Sequence, residues 1–114
     1  MDAYNANPYS MLEAINSFAE CHFNNPWLIL GDMFELGKSS TSEHQNIVNI
    51  LEKKGFKNVI LIGNEFSKTN IKDFTSLAST ELARAFLHKN KIINTNILVK
   101  GSRGMKLENL LTEL

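Results

Sequence analysis

Apolar residues along the chain form three short continuous runs, each bounded by glycine, proline or polar residues. The runs lie at residues 27–31, 59–63 and 96–100. A short run that is apolar at nearly every position is typical of a parallel strand that is covered on both faces. We therefore predict a buried strand at each of the three runs.

Between these runs, apolar residues recur every three or four positions, which is the spacing of one helical face. Asn7 suits a helix N-cap and Pro8 suits the first helical position, so the first helix is predicted to begin there. The second helix is predicted to begin at a capping box in residues 40–43 and to stop at Gly55. The predicted helices cover residues 8–23, 41–54, about 79–87 and about 105–114.

The predicted helices and strands alternate along the chain, and a weaker pattern in residues 64–75 adds a short strand around residues 71–74. Alternation implies right-handed crossovers and a mostly parallel sheet with helices on both faces. We therefore predict one three-layer α/β domain over residues 1–114. Residues 2–8 have the pattern of a turn that leaves a strand, so we expect the first strand of the domain to be missing from this sequence.

Charge and cysteine content narrow the class of protein. The 114 residues include 12 basic and 12 acidic side chains, so there is no electrostatic reason to expect nucleic acid or an anionic membrane as partner. Cys21 is the single cysteine, which excludes an intrachain disulfide, and the histidines lack the spacing of a structural zinc site. No apolar run approaches the length of a membrane span. We therefore expect a soluble cytoplasmic protein that holds no metal of its own.

A glycine-rich turn with two cations and a hydroxyl follows the last predicted strand, at Lys100, Gly101, Ser102, Arg103 and Gly104. At the carboxyl end of a parallel strand, unpaired N–H groups and the positive end of a helix dipole favour an anion. Lys100 and Arg103 would add full positive charges. The alternative is that the glycines only permit a tight turn and that both cations are solvated.

Residues 31–39 end in Gly-Lys-Ser and resemble a phosphate loop at first sight. However, five residues separate the glycines where the Walker pattern has four, and Asp32 and Glu35 would repel phosphate. We interpret this stretch as a turn that projects carboxylates towards an ammonium group, a cation or a nearby histidine. His44 lies one turn into the following helix, where its side chain can face the loop. The alternatives are a solvated acidic turn and a surface histidine.

Polar side chains also cluster at residues 2–7, at the end of the expected first strand. Asp2 can accept hydrogen bonds from a ribose diol, and the amides of Asn5 and Asn7 can both donate and accept. The alternative is that the two asparagines are turn and cap residues. Because neither a Ser-His-Asp order nor a nucleophile elbow occurs, the sequence indicates a binding rim without complete catalytic machinery.

Three stretches, in this order and at this spacing, resemble the C-terminal domain of Mur ligases. They are DAYNANPYSM at residues 2–11, LGDMFELG at residues 30–37 and LVKGSRGMKLE at residues 98–108. They are most similar to the branch of the family that joins D-alanyl-D-alanine to UDP-N-acetylmuramoyl-tripeptide. The resemblance implies a Rossmann-like third domain of a bacterial, cytoplasmic, ATP-dependent ligase of peptidoglycan synthesis, whose N-terminal and central domains would lie outside this chain.

The resemblance also implies a reaction and a set of contacts. ATP phosphorylates the terminal carboxylate of the tripeptide, with Mg²⁺ held by the central domain, and the amine of D-alanyl-D-alanine attacks the acyl phosphate. The implied contacts are to ATP for Asp2, Asn5 and Asn7, to the reaction centre for Lys100, Ser102 and Arg103, and to the incoming amine for Asp32, Glu35 and His44.

Without a phosphate loop of its own, the chain is expected to be inactive alone and to bind ATP weakly. A missing first strand would leave an unpaired sheet edge, which invites pairing with a second copy. The main alternative is a stand-alone nucleotide- or anion-binding α/β module without catalysis. A related folylpolyglutamate synthase domain is a third possibility, but the sequence of residues 2–8 favours the dipeptide-adding branch.

Overall fold

In a computed structural model that describes residues 6–114, four parallel strands form a single sheet with helices on both faces. The strands are β1 (Trp27–Gly31), β2 (Asn58–Ile62), β3 (Thr75–Leu77) and β4 (Ile97–Lys100). The helices are α1 (Pro8–Glu20), α2 (Ser40–Lys53), α3 (Asn64–Ser67) and α4 (Thr80–Lys89). The strand order β3-β2-β1-β4 confirms the predicted α/β class and the parallel sheet.

Central strand β1 pairs with β2 on one side and β4 on the other, and Leu30 lies opposite both Leu61 and Lys100. The carboxyl ends of these strands therefore meet at one end of the sheet. Helices α1, α2 and α3 cover one face, and α4 with the C-terminal segment covers the other. No helix within residues 6–114 combines the length and the apolar content needed to cross a bilayer.

Helix α1 begins as the sequence predicts. The side chain of Asn7 accepts a hydrogen bond from the N–H of Ser10 (2.8 Å), and the hydroxyl of Ser10 accepts one from the N–H of Asn7 (3.0 Å). The helix ends at Glu20, three residues before the predicted end. Gly55 follows α2 with a φ of +80°, which confirms it as the stop signal.

Two predictions in the middle of the chain are wrong. The capping box at residues 40–43 is absent because a 3₁₀ turn at Gly37–Ser39 runs directly into α2, whose cap residue Ser39 makes no side-chain cap bond. The Ser40 hydroxyl instead donates to Oε1 of Glu65 (2.5 Å). The strand expected around residues 71–74 lies at Thr75–Leu77, and the short helix α3 before it was not predicted.

The predicted C-terminal α-helix is also wrong. Arg103–Met105 and Leu107–Glu113 are 3₁₀ helices, and Lys106 between them has a left-handed conformation with a φ of +54°. Leu107 and Leu110 are both buried, as the three-residue turn of a 3₁₀ helix allows. Consequently the segment after residues 100–104 supplies no α-helix dipole to this turn, and this part of the anion-site argument no longer applies.

The outer edges of β3 and β4 have no strand neighbour within residues 6–114. The two edges differ in composition, because β3 has three residues and begins Thr-Ser, whereas β4 begins Ile-Leu-Val. An apolar edge strand favours pairing with another strand. Pairing between two copies of the chain stays a prediction, and β4 is the edge that favours it.

The last residues are held to α4 by a cluster of cations around one carboxylate. Glu113 lies 2.7 Å from Lys91 Nζ, 3.2 Å from His88 Nδ1 and 3.5 Å from Arg84 Nε, and its side chain is 12% exposed. Hydrogen bonds from Lys91 and His88 lower the pKa of Glu113 from 4.5 to about 2. Because the pKa is lowered in the folded state, the cluster stabilises the fold above about pH 4.5, and this contribution is lost as the pH falls towards 2.

We expect Glu113→Gln to lower the thermal unfolding midpoint at pH 6, and the difference from the parent chain to shrink as the pH falls from about 4.5 towards 2. Thermal unfolding followed by circular dichroism across this range measures the effect. Glu108→Gln is the control because it removes an exposed acid from the same 3₁₀ segment. A parent chain and a Glu113→Gln variant with identical midpoints at pH 6 would contradict the prediction.

Candidate functional site

The candidate site lies where β1, β2 and β4 run into polar loops at their carboxyl ends. Pairing of Leu30 with Lys100 places Asp32 and Lys100 at the same end of the sheet. The start of α1 is there too, because the carbonyl of Ala6 accepts a hydrogen bond from the Ser102 hydroxyl (3.3 Å). Asp2 and Asn5, which the sequence also assigned to this rim, lie outside the described residues.

Ser102 joins three separate segments at this end of the sheet while only 5% exposed. Its Oγ accepts a hydrogen bond from the N–H of Phe34 (2.8 Å), and its hydroxyl donates to Ala6. Its own N–H donates to the carbonyl of Asp32 (3.0 Å). One residue therefore fixes the loop after β1, the loop after β4 and the segment that enters α1.

The loops after β1 and β4 approach each other backbone to backbone. A Cβ at Gly101 would lie 2.7 Å from Leu107 Cδ1 and 3.0 Å from the Cα of Gly31. These distances are shorter than van der Waals contact, so a side chain at this position would push the two loops apart. Gly101 therefore has a packing role in addition to any role in forming a turn.

Asp32 follows β1 and is 4% exposed. Its side chain caps α3, the short helix that follows the neighbouring strand β2. Its two carboxylate oxygens accept hydrogen bonds from the N–H groups of Glu65 and Phe66, both at 3.0 Å. These N–H groups belong to the first turn of α3, where an acceptor satisfies donors that have no partner within the helix. Gly63 has a φ of +123°, and a Cβ there would overlap the carboxylate, so a glycine is needed beside Asp32.

His44 is fully buried beneath the loop after β1. Its Nδ1 lies 2.7 Å from the carbonyl oxygen of Ser40, and its Nε2 accepts a hydrogen bond from the N–H of Met33 (3.0 Å). These partners assign the neutral tautomer with the proton on Nδ1. Nε2 is 3.9 Å from Asp32 Oδ1, too far for a hydrogen bond. His44 therefore faces the acidic loop and supports its backbone.

The remaining predicted residues differ in exposure. Lys100 ends β4 and is 5% exposed, whereas Arg103 is exposed in the 3₁₀ turn that follows. Glu35 is exposed and has a φ of +63°, and Asn7 is exposed with its side-chain oxygen engaged as the cap of α1. The structure thus places all these residues on loops or strand ends at the carboxyl end of the sheet.

A cleft that the sequence did not reveal lies over the strand ends, and we call it the strand-end cleft. Its walls come from the loops after β1 and β2, the first residues of α4 and the 3₁₀ turn after β4. Phe34, Asn64 and Glu81 line it and had not been singled out. In the sequence, only their positions directly after a strand or at the start of a helix could have indicated a site. Many solvated residues occupy such positions, so this signal is not specific.

Within residues 6–114 there is no group of three His, Cys, Asp or Glu side chains that could hold a metal ion. Both oxygens of Asp32 accept backbone N–H groups, so this carboxylate is engaged in capping α3.

We expect Asp32→Ala to destabilise the fold by about 1–2 kcal/mol, because two N–H groups at the start of α3 lose their acceptor. Asp32→Asn, which keeps one side-chain oxygen, should cost less. Urea unfolding measures the difference, and Asp73→Ala, at an exposed loop position, is the control. An Asp32→Ala chain as stable as its parent would show that this carboxylate does not hold α3.

The family comparison agrees with the geometry. The profile of the family described as Mur ligase, glutamate ligase domain, matches residues 1–103. One curated relative is the UDP-N-acetylmuramoyl-tripeptide–D-alanyl-D-alanine ligase of Buchnera aphidicola subsp. Acyrthosiphon pisum, which is 36% identical over 99% of this chain and 26% of the relative. The ligase of the same name from Rickettsia prowazekii is 32% identical over 96% of this chain and 25% of the relative.

Solved structures share the fold. MurF from Acinetobacter baumannii superposes with a TM-score of 0.80 at 26% identity, over 99% of this chain and 26% of that protein. MurF from Thermotoga maritima, solved in complex with ADP, has a TM-score of 0.76 at 20% identity, over 98% and 26% of the two chains. The chain spans about a quarter of the length of the curated relatives that it matches. This chain therefore belongs to the Mur ligase family and carries that family's C-terminal domain.

Proposed function

We propose that this chain is the C-terminal domain of an ATP-dependent ligase that adds D-alanyl-D-alanine to UDP-N-acetylmuramoyl-tripeptide in bacterial peptidoglycan synthesis. ATP phosphorylates the terminal carboxylate of the tripeptide, the amine of the dipeptide attacks the acyl phosphate, and phosphate leaves from a tetrahedral intermediate. This domain brings the amine and closes over ATP. Its N-terminal and central partner domains hold the sugar nucleotide and the phosphates.

One observation carries the proposal: the Ser102 hydroxyl joins the three sequence stretches that resemble Mur ligases. It donates to Ala6 in the first stretch and accepts from Phe34 in the second, and Ser102 itself belongs to the third. A reaction that proceeds by acyl transfer between bound substrates depends on positioning them, so a rigid rim suits a domain that closes on its partners.

The cations of the rim suit the charges of this reaction. We propose that Lys100 and Arg103 face the reaction centre, where they neutralise phosphoryl oxygens or the carboxylate of the dipeptide. Ser102 orders the loop after β4, which begins next to Lys100 and contains Arg103. Asp2 and Asn5, with Asn7 at the start of α1, are proposed to face the adenosine and phosphate side of ATP.

The loop after β1 is proposed to line the side from which the amine arrives. Asp32 and His44 are both buried and bonded to backbone groups, so they act as positioning residues for this loop. Glu35 is the exposed acid of the three and is the one that can meet an ammonium group directly. We assign no magnesium ligand to this domain, and the Mg²⁺ that accompanies ATP and neutralises phosphate charge is proposed to be held by the central domain.

We expect the isolated chain to release no phosphate when ATP, UDP-N-acetylmuramoyl-tripeptide and D-alanyl-D-alanine are supplied together. We also expect ATP to bind it weakly, because most phosphate contacts belong to the central domain. A coupled phosphate assay and titration calorimetry test the two statements. Measurable phosphate release would refute the first, and a submicromolar dissociation constant would favour the alternative of a stand-alone nucleotide-binding module.

The ligase activity itself is tested in an enzyme that joins this domain to its N-terminal and central partners. The proposal expects ATP-dependent formation of the tripeptide–D-alanyl-D-alanine product, and Arg103→Ala should reduce kcat/KM by about tenfold or more through the loss of one charged contact. Lys54→Ala removes an exposed cation near the amino ends of the strands and should leave the rate unchanged. Failure of the joined enzyme to form the product would overturn the proposal.

A further inference from the structure

We propose that Thr80 is a positioning residue for the ligation reaction, because its buried hydroxyl holds the turn that carries Arg103. The inference rests on the proposed function, in which Arg103 faces the reaction centre. It gives helix α4, which begins at Thr80, a part in ordering the rim. Thr80 itself makes no contact with substrate in this proposal and acts only through the backbone of the turn.

The hydroxyl of Thr80 bonds across the structure rather than within its own helix. Its Oγ1 donates to the carbonyl oxygen of Met105 over 2.6 Å, although the two residues are 25 positions apart. Thr80 is only 8% exposed, so water competes poorly for this bond. Threonines at helix starts commonly bond to nearby backbone groups, so a bond to a distant turn points to a different role.

The start of α4 does not need this hydroxyl. Ser79 is the cap residue, and its Oγ accepts a hydrogen bond from the N–H of Leu82 (3.2 Å). The cap thereby satisfies a donor that has no partner within the helix. The hydroxyl of Thr80 is left to hold a second element, and that element is the 3₁₀ turn Arg103–Met105.

The bonds within the 3₁₀ turn set its shape but do not fix its place. The N–H of Met105 donates to the carbonyl of Ser102 (2.9 Å), and the N–H of Lys106 donates to the carbonyl of Arg103 (3.0 Å). Neither bond joins the turn to the sheet or to a helix. The carbonyl of Met105 takes part in neither of them, and through it Thr80 ties the turn to α4.

Two other contacts hold the opposite side of the turn. The N–H of Ser102 donates to the carbonyl of Asp32 (3.0 Å). The ring of Phe34 lies against Gly104, where an added Cβ would overlap it. Arg103 therefore lies between one segment tied to the loop after β1 and another tied to α4. With both sides held, its backbone has one favoured position, and its exposed side chain extends from a fixed point.

The position of a charged group matters in a reaction that depends on bringing bound groups together. A misplacement of about 1 Å can cost on the order of a hundredfold in rate. Because Thr80 acts through Arg103, removing its hydroxyl should cost no more than removing the guanidinium itself. This upper limit distinguishes a positioning residue from one that contacts the substrates separately.

The test is steady-state kinetics of the enzyme that joins this domain to its N-terminal and central partners. Thr80→Val keeps the shape of the side chain without the hydroxyl and should lower kcat/KM about fivefold to tenfold, and no further than Arg103→Ala does. Thr80→Ser keeps the hydroxyl and should stay within about twofold of the parent. Thr112→Val makes the same change at an exposed threonine of the C-terminal segment and should react at the parental rate.

A double-mutant cycle separates positioning from a general loss of stability. In the Arg103→Ala background, Thr80→Val should change kcat/KM by less than about twofold, because the guanidinium that it positions is gone. A loss of folded enzyme would instead lower the rate by the same factor in both backgrounds. Hydrogen exchange in this chain gives a local measure. The amide of Lys106 should exchange faster in Thr80→Val than in the parent or in Thr80→Ser, while the amides of β1 stay protected.

Parental kinetics in Thr80→Val, equal losses in both backgrounds, or a Thr80→Ser variant as slow as Thr80→Val would overturn the inference. These results differ from failure of the proposed function. A parent enzyme that forms no product, or an Arg103→Ala variant that reacts at the parental rate, would defeat the proposed role of the rim and this inference with it. A slow Arg103→Ala variant beside a fast Thr80→Val variant would defeat the role of Thr80 alone.

Discussion

The hydroxyl of Ser102 sits between the N–H of Phe34 and the carbonyl of Ala6, and it satisfies both while only 5% of the residue is exposed. The rest of the candidate site depends on this interaction. A parallel sheet brings the carboxyl ends of its strands together, but it does not fix the loops that follow them. In this protein a buried hydroxyl does so, and leaving either backbone group without a partner would cost about 1–3 kcal/mol. The loops that meet here therefore have one favoured arrangement.

Two other buried polar residues at this end, Asp32 and His44, also fix loops. From the loop after β1, Asp32 caps α3, which follows the neighbouring strand β2. His44 accepts a hydrogen bond from the N–H of Met33 and donates one to the carbonyl of Ser40. Such residues resemble catalytic groups when only the sequence is known, because chemistry also uses carboxylates and imidazoles. In this fold Asp32 and His44 bond to backbone groups and therefore hold the loops in place. Rigid loops with exposed polar tips agree with the role in positioning substrates that we propose for this domain.

The strands were predictable because a buried parallel strand needs an apolar residue at nearly every position, and three runs of this kind occur. The C-terminal segment was not, because Leu107 and Leu110 are three residues apart, a spacing that fits both α and 3₁₀ geometry. The left-handed conformation of Lys106 separates the two 3₁₀ helices, and no local sequence pattern predicts this conformation. Likewise, the sequence placed Asp32 and Ser102 at the rim but could not predict their hydrogen bonds. The partners of the Asp32 side chain lie 33 and 34 residues away, and those of the Ser102 side chain lie 68 and 96 residues away.

Hydrogen exchange at the amide of Phe34, compared between the parent chain and Ser102→Ala, tests the central claim most directly. The amide should be protected in the parent chain and should exchange at the rate of an open loop in the variant, while the amides of β1 and β2 stay protected in both. Ser76→Ala, an exposed serine in edge strand β3, is the control. Unchanged protection of Phe34 in Ser102→Ala would show that the loops are ordered without this hydroxyl, and the account of the rim would be wrong.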